Sequence, residues 1–518
     1  MMRSPLKSSL RQQHRPETMP APYRGWNTKS PQAALDGTYA LYLDNFFPVS
    51  GGVELRKGAS LKAQHSNPAR NFRSLLKYSP VSGTEKLFAG AEDGLYDVTA
   101  GGTVSVASTA ATSNEWQGVN VRTAGGSFLW CCNATDKSRV YNGSTWTLLD
   151  GSSTPALTGV DTLRVKLVAA FKSRLYLVEK NALSFWYLGV NAIGGAATEY
   201  PLGVLCPKGG YLVAVDSWTY DSGVGPDDHL VFYTSEGQAV VFAGYDPSSA
   251  ANWTLVGVYD VGKPLGNNCT TKVKGDLYVL TDAGVLSMTQ VLRGEANART
   301  SVSDNIEPTL KGYASTYGSV FGWGLTYFSR ENVLFANVPL ENKRSWQCVQ
   351  NVSTGAWCRF TGWDAEAMLA TGSALYFSAG SSVYQAWEGA EDHGAAIIAK
   401  AKLPPNAFHS AVQRHFIKLL RVNSSLKGSF PMQIGLARDY GDGAYSGSLT
   451  TVVQNLAAWD EAVWDQATWP EDGNSSSVWK TVNHFPGHVV SLKLRISAKG
   501  VDFTWYSTDY ILQQGNLF

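Results

Sequence analysis

No stretch of roughly 18 apolar residues occurs in this chain, so no membrane-spanning helix is expected. Long amphipathic helical patterns are missing too. Charge is sparse: 16% of residues are Asp, Glu, Lys or Arg, and the formal net charge is +1. That balance excludes a protein that coats nucleic acid or a membrane surface by global charge; DNA could be gripped only where basic residues cluster. The cysteines Cys131, Cys132, Cys206, Cys269, Cys348 and Cys358 form no C-x-x-C and no Cys/His ligand spacing, which argues against a zinc site. There is no G-x-S-x-G, no H-E-x-x-H, and no Gly-rich phosphate loop followed by Lys and Ser/Thr. The beginning, MMRSPLKSSLRQQHRPETMP, carries basic residues without an apolar segment and does not read as a secretory signal.

What is plentiful is glycine (51) and aromatics (17 Trp, 24 Tyr, 20 Phe), the composition of a turn-rich all-β protein with large aromatic burial. At 518 residues the chain is too long for one core, so two or three domains are expected.

From Glu85 to Trp387 a simple unit recurs. The first copy, KLFAGAEDGLYDV (Lys86 to Val98), is two runs of alternating apolar residues joined at Asp93-Gly94. Alternation at period two makes each run a strand, and the Asp-Gly pair suggests φ > 0 positions for a tight hairpin. Similar units are Phe128–Leu149, Arg174–Leu188, His229–Gly244, Asp276–Met288, Asn332–Phe360 and Ala374–Trp387. Their starts lie about 40 to 56 residues apart, the spacing of four-stranded propeller blades. Each hairpin reads as the inner half of one blade. The expected fold is therefore all-β: a six- or seven-bladed β-propeller, one blade open to closure by a strand from elsewhere, with an added C-terminal β-sandwich-like domain. An irregular sandwich or two β-domains is the alternative. Pro404-Pro405 and the loss of the hairpin period mark the end of the array. Beyond it, longer alternating strands such as His415–Val422 and His488–Ser497 suggest the sandwich. The division is 1–22, a basic flexible arm; 23–80, an entry segment; 81–400, the propeller; 401–518, the C-terminal β domain.

Arg3, Lys7, Arg11 and Arg15 make the arm basic; it reads either as a solvated tail or as a tether that contacts a partner. Val160–Lys172 puts Arg164 and Lys166 on one strand face, where they either edge a channel or partner surface or simply face solvent. Trp459, Trp464 and Trp469 recur every five residues, a spacing that fits neither a helix face nor a strand face. They are candidates for core packing, for an interface with another subunit or fibre, or for sugar-binding platforms. Asp221, Asp227 and Asp228 lack the order of a calcium loop, so no metal site is assigned. Cys348 and Cys358 flank the turn NVSTGAW, but buried reduced thiols are expected for all six cysteines.

A glycoside hydrolase needs two carboxylates facing each other at about 5 to 10 Å. Asp93, Glu236 and Asp282 sit at hairpin turns, but turn geometry selects acids anyway, and context distinguishes no pair. No catalytic residue and no cofactor is assigned.

Tyr23 to Gly58 reads YRGWNTKSPQAALDGTYALYLDNFFPVSGGVELRKG. The order G-x-N-T, then A-x-x-L-D-N-x-x-P, then G-x-V-x-x-R-x-G resembles the N-terminal signature of the tail nozzle proteins of short-tailed bacteriophages, also called tail tubular protein B or packaged-DNA stabilisation proteins. The β-repeat array and the closing stretch DFTWYSTDYILQQGNLF (Asp502–Phe518) resemble the same family. That resemblance implies a structural virion protein and not an enzyme, made in the bacterial host cytoplasm. It implies a six-fold ring below portal and adaptor, with tail fibres or spikes as further partners. The ring would close the DNA exit and then carry double-stranded DNA during ejection, with no membrane insertion of its own. The alternative is a propeller that binds or hydrolyses host surface polysaccharide.

Overall fold

The computed structural model describes residues 15–109, 111–221, 226–294, 301–408, 410–426, 430–445, 449–451, 475–476, 479–481 and 486–514. The fold is a β-propeller with an added β-sandwich, and the chain divides into two compact units. One comprises Lys57–Gly355 and Phe360–Gly389; the other comprises Met1–Arg56, Ala356–Arg359 and Ala390–Phe518. Among the described residues no helix is long and apolar enough to cross a membrane.

In the first unit, seven successive sets of mainly antiparallel strands, called sheets below, follow one another along the described chain. Their first strands are Ser74–Tyr78, Gln117–Thr123, Val165–Phe171, Leu212–Asp221, Thr270–Val273, Gly324–Phe328 and Ala367–Ala370. Each of these lies against the first strand of the next sheet, and Ala367–Ala370 lies against Ser74–Tyr78, so the ring closes. Hydrophobic clusters fill the spaces between neighbouring sheets. Between the third and fourth, Phe185 stacks on Phe232 at 4.6 Å and Phe242 on Trp253 at 5.0 Å. Cys131 and Cys132, adjacent on one strand, point into different clusters. All six cysteines are buried free thiols.

The recurring hairpins are not the inner half of each sheet. A further strand precedes every one of them. The middle strands stand out in sequence because both their faces are buried: Val333–Pro339 is buried at every position. The first strands face a channel on one side, and Gln117–Thr123 has only Val121 buried. The seventh sheet is closed by Ala59–His65, which pairs antiparallel with Ser382–Ala386. The Asp93-Gly94 turn also differs from expectation. Gly94 lies outside the left-handed region. Its role is close approach: a Cβ there would come within 2.5 Å of the Ser108 carbonyl on the outer strand.

The second unit is a sandwich built from both ends of the chain. One sheet joins Phe46–Val49, Gly52–Leu55, Phe503–Gln514 and His415–Leu426. Arg15–Pro20 adds to it along Ser507 to Leu512, so the last part of the expected flexible arm is a paired strand. The other sheet carries Tyr42–Asp44, Ile397–Lys402, Val490–Ala498 and Phe430–Arg438. Phe46, Phe430, Phe503 and Trp505 make the aromatic centre of this unit. The boundaries thus differ from those read in sequence. Residues 23–56 belong to the sandwich, and so does Ile397–Lys402. The cause is strand pairing between segments far apart in the chain, which local pattern does not reveal.

Candidate functional site

The seven first strands surround a central channel, and its lining defines the candidate site. Alternation points every second side chain of a first strand inward. On the third sheet this places Lys166 at the channel mouth, with Val168 and Ala170 deeper. The mouth is a cavity of about 660 Å³, and a second cavity of about 520 Å³ shares Gln117, Asn268 and Thr326 with it. Both are of the size that takes a small ligand.

The mouth is built from the connections that enter the first strands: Arg73, Glu115, Tyr211, Lys263 to Asn268, Phe321 to Trp323 and Glu366. Arg73 sits between two carboxylates, with Nε 3.0 Å from Oε2 of Glu366 and Nη1 3.5 Å from Oε1 of Glu115. Its guanidinium also lies 4.9 Å from the centre of the Phe321 ring. Lys263 pairs with Glu236 at 3.1 Å, and its backbone N–H donates to Oδ1 of Asp282 at 2.9 Å. Lys166 makes no ion pair or side-chain hydrogen bond among the described residues. Burial lowers its pKa; nearby Glu115 pulls the other way and Lys180 adds to the lowering.

Deeper in the channel, burial raises the pKa of Asp216, and Lys272, Thr270 and the Ser217 N–H counter it. Thr270 Oγ1 donates to its Oδ2 at 3.1 Å, and Lys272 Nζ stands 3.5 Å from its Oδ1. Asp216 is thus the ion-pair partner of Lys272, whose Nζ donates to Ser217 Oγ at 2.9 Å, and among the described residues no second carboxylate is bonded to it.

Of the turn carboxylates named from sequence, Asp282 lines the mouth and Glu236 is tied to it through Lys263. Asp93 is elsewhere, 3.6 Å from His65 Nε2 and 3.5 Å from Arg70 Nε. Arg164 leaves the channel and pairs with Glu179 at 3.6 Å. Asp228 binds Lys172 and Thr219. The side chains of Asp221 and Asp227 lie outside the described residues, as do Trp459, Trp464 and Trp469 and the arm residues Arg3, Lys7 and Arg11. Arg15 opens the strand Arg15–Pro20. Arg73, Glu115 and Glu366 were not singled out in sequence. Their one signal is position just before a first strand, and it is readable only once those strands are located.

The residues that carry the sequence resemblance meet in the sandwich. Gly52–Leu55 pairs with Phe503–Gln514, matching Val53 with Trp505 and Glu54 with Thr504. Asp44 accepts two hydrogen bonds from Arg359, at 2.8 and 2.9 Å. Asn45 adopts φ 57° and accepts from Arg56 Nε at 2.9 Å. Arg56, buried, also grips both oxygens of Asp392.

No family model matches the sequence, and no curated protein matches it. Among solved structures, the chain is similar to YCF48 bound to D1 peptide, with TM-score 0.35, 11% identity, and 64% of this chain against 97% of that one covered. It is also similar to a glycoside hydrolase family 43 arabinoxylan arabinofuranohydrolase from Bacillus subtilis in complex with cellotetraose, with TM-score 0.24, 11% identity, and coverage of 88% and 96%. Both are propeller proteins. BBS1N in complex with ARL6DN matches at TM-score 0.31 and 12% identity, over 43% of this chain and 66% of that one. At these scores none of the three bears on what this chain binds or does.

Proposed function

We propose that this chain is a structural subunit of a short-tailed phage tail nozzle, located in the virion below portal and adaptor. The observation that carries the reading is the convergence of Tyr23–Gly58 with Asp502–Phe518. These are the two stretches that resemble the nozzle family, and they form neighbouring strands of one sheet. The resemblance therefore falls on residues with a common task, knitting the start of the chain to its end. The channel of the propeller has the volume of a small-ligand pocket, so a DNA conduit would be formed between subunits in a closed heterologous ring. The test is to add the protein to DNA-filled, tailless heads carrying portal and adaptor, then measure DNA retention and image the vertex. A six-fold ring with DNA retained is the expected result; no binding at the vertex refutes the reading.

A second reading, a carbohydrate-binding propeller, is favoured by the channel mouth, where Tyr211 and Phe321 are exposed beside amide and charged groups. Binding fits this site better than hydrolysis does. The Arg73 guanidinium occupies the space between Glu115 and Glu366 that a sugar and an attacking water would need. Sugar release from host polysaccharide would contradict that part of the reading.

A further inference from the structure

Two of the three cations that line the channel mouth are held in ion pairs, and the Asp282 carboxylate lines it as well. Arg73 is held by Glu115 and Glu366, and Lys263 by Glu236. Lys166 lines the same cavity with no ion pair of its own among the described residues. Glu115 favours the charge of this partly buried ammonium without pairing with it directly, and a bound anion would further offset the cost of burial. Around it the cavity presents the amides of Gln117 and Asn268 and the hydroxyl of Ser235, groups suited to sugar hydroxyls. The exposed ring of Tyr211 offers an apolar face for a pyranose.

We infer that the channel mouth binds an acidic sugar, a uronate-type residue of a polysaccharide, with its carboxylate on Lys166. The inference rests on the carbohydrate-binding reading and deepens it. Burial, opposed by Glu115, lowers the pKa of Lys166, and a carboxylate bound against it would raise that pKa.

The experiment is calorimetric titration of the full chain with trigalacturonate and with uncharged galactotriose. Wild type is compared with Lys166→Gln and with Arg164→Gln, the latter a cation in the turn just before the same strand, paired with Glu179 outside the cavity. The expected result is that wild type binds trigalacturonate at least tenfold more tightly than galactotriose. Lys166→Gln removes that preference and Arg164→Gln keeps it. Equal affinity of wild type for both sugars overturns the inference and leaves the carbohydrate reading standing. An undiminished preference in Lys166→Gln overturns the assignment of the carboxylate to Lys166. No binding of either sugar overturns both readings. The wild-type comparison decides the charge preference even if Lys166→Gln fails to fold.

Discussion

Replacing Asp392 by Asn tests the claim that the signature residues lock the sandwich unit together. The Arg56 side chain is fully buried, and Asp392 is 19% exposed. Nη1 and Nη2 of Arg56 each donate to a different oxygen of Asp392, and Nε donates to Asn45. Asparagine keeps one acceptor but sets an N–H₂ group against the other guanidinium nitrogen. The guanidinium would then stay buried without its counter-charge. Breaking a buried pair from one side costs about 3–5 kcal/mol, and the partial exposure of Asp392 places this case near the lower end, at about 3 kcal/mol. Two units need not unfold together, so the readout should be local. Amide hydrogen exchange of a peptide spanning Phe46 to Leu55 reports this unit. Its slowest exchange should accelerate roughly a hundredfold in Asp392→Asn. Arg56→Met in the same background should cost less than the two single effects added, with a coupling of at least about 1 kcal/mol. An exchange rate within about twofold of wild type, or additive effects, would refute the reasoning.

Three further outcomes are expected. Trp505→Ala removes a fully buried ring packed on Phe46 and should destabilise the sandwich by about 3–5 kcal/mol, read from the same peptide. Gly25 has φ +84°, and a Cβ there would lie 2.4 Å from the Trp357 carbonyl, so Gly25→Ala should cost about 2 kcal/mol or more and shift a thermal transition down. Burial pushes the Asp509 carboxyl up, but hydrogen bonds from Thr18, Asn423 and Arg421 outweigh it and hold the pKa below the ordinary value. The stability it contributes is therefore complete above the unfolded pKa of about 4 and is lost as pH falls through the lower folded value. Asp509→Asn should lower stability at pH 7 and flatten the loss between about pH 4 and pH 2 in acid titrations followed by circular dichroism.

How much was legible depended on how each strand is buried. The middle strands of the ring are apolar on both faces, so Lys86–Ala91 and Val333–Pro339 announced themselves as recurring hairpins. The first strands face a polar channel, and Thr270–Val273 or Ala367–Ala370 carry too little contrast to be found alone. The site was hidden for the same reason. Arg73, Glu115 and Glu366 are far apart in sequence and become neighbours only because the connections into three first strands emerge at one end of the ring. Lys166 was visible as a basic residue on a strand face, but whether that face met solvent or a channel depended on the ring.

By itself, the sequence determined the all-β class, the repeating array and the presence of a second, longer-stranded β region. These follow from local periodicity and turn chemistry, which act over a few residues. Only the tertiary structure decided that Ala59–His65 closes the seventh sheet, that both ends of the chain build the sandwich, and that Lys166 lines a channel mouth. Each of these depends on edge-to-edge pairing between distant strands. A strand edge offers the same backbone donors and acceptors to any partner, so the choice among partners is made by packing, not by local pattern.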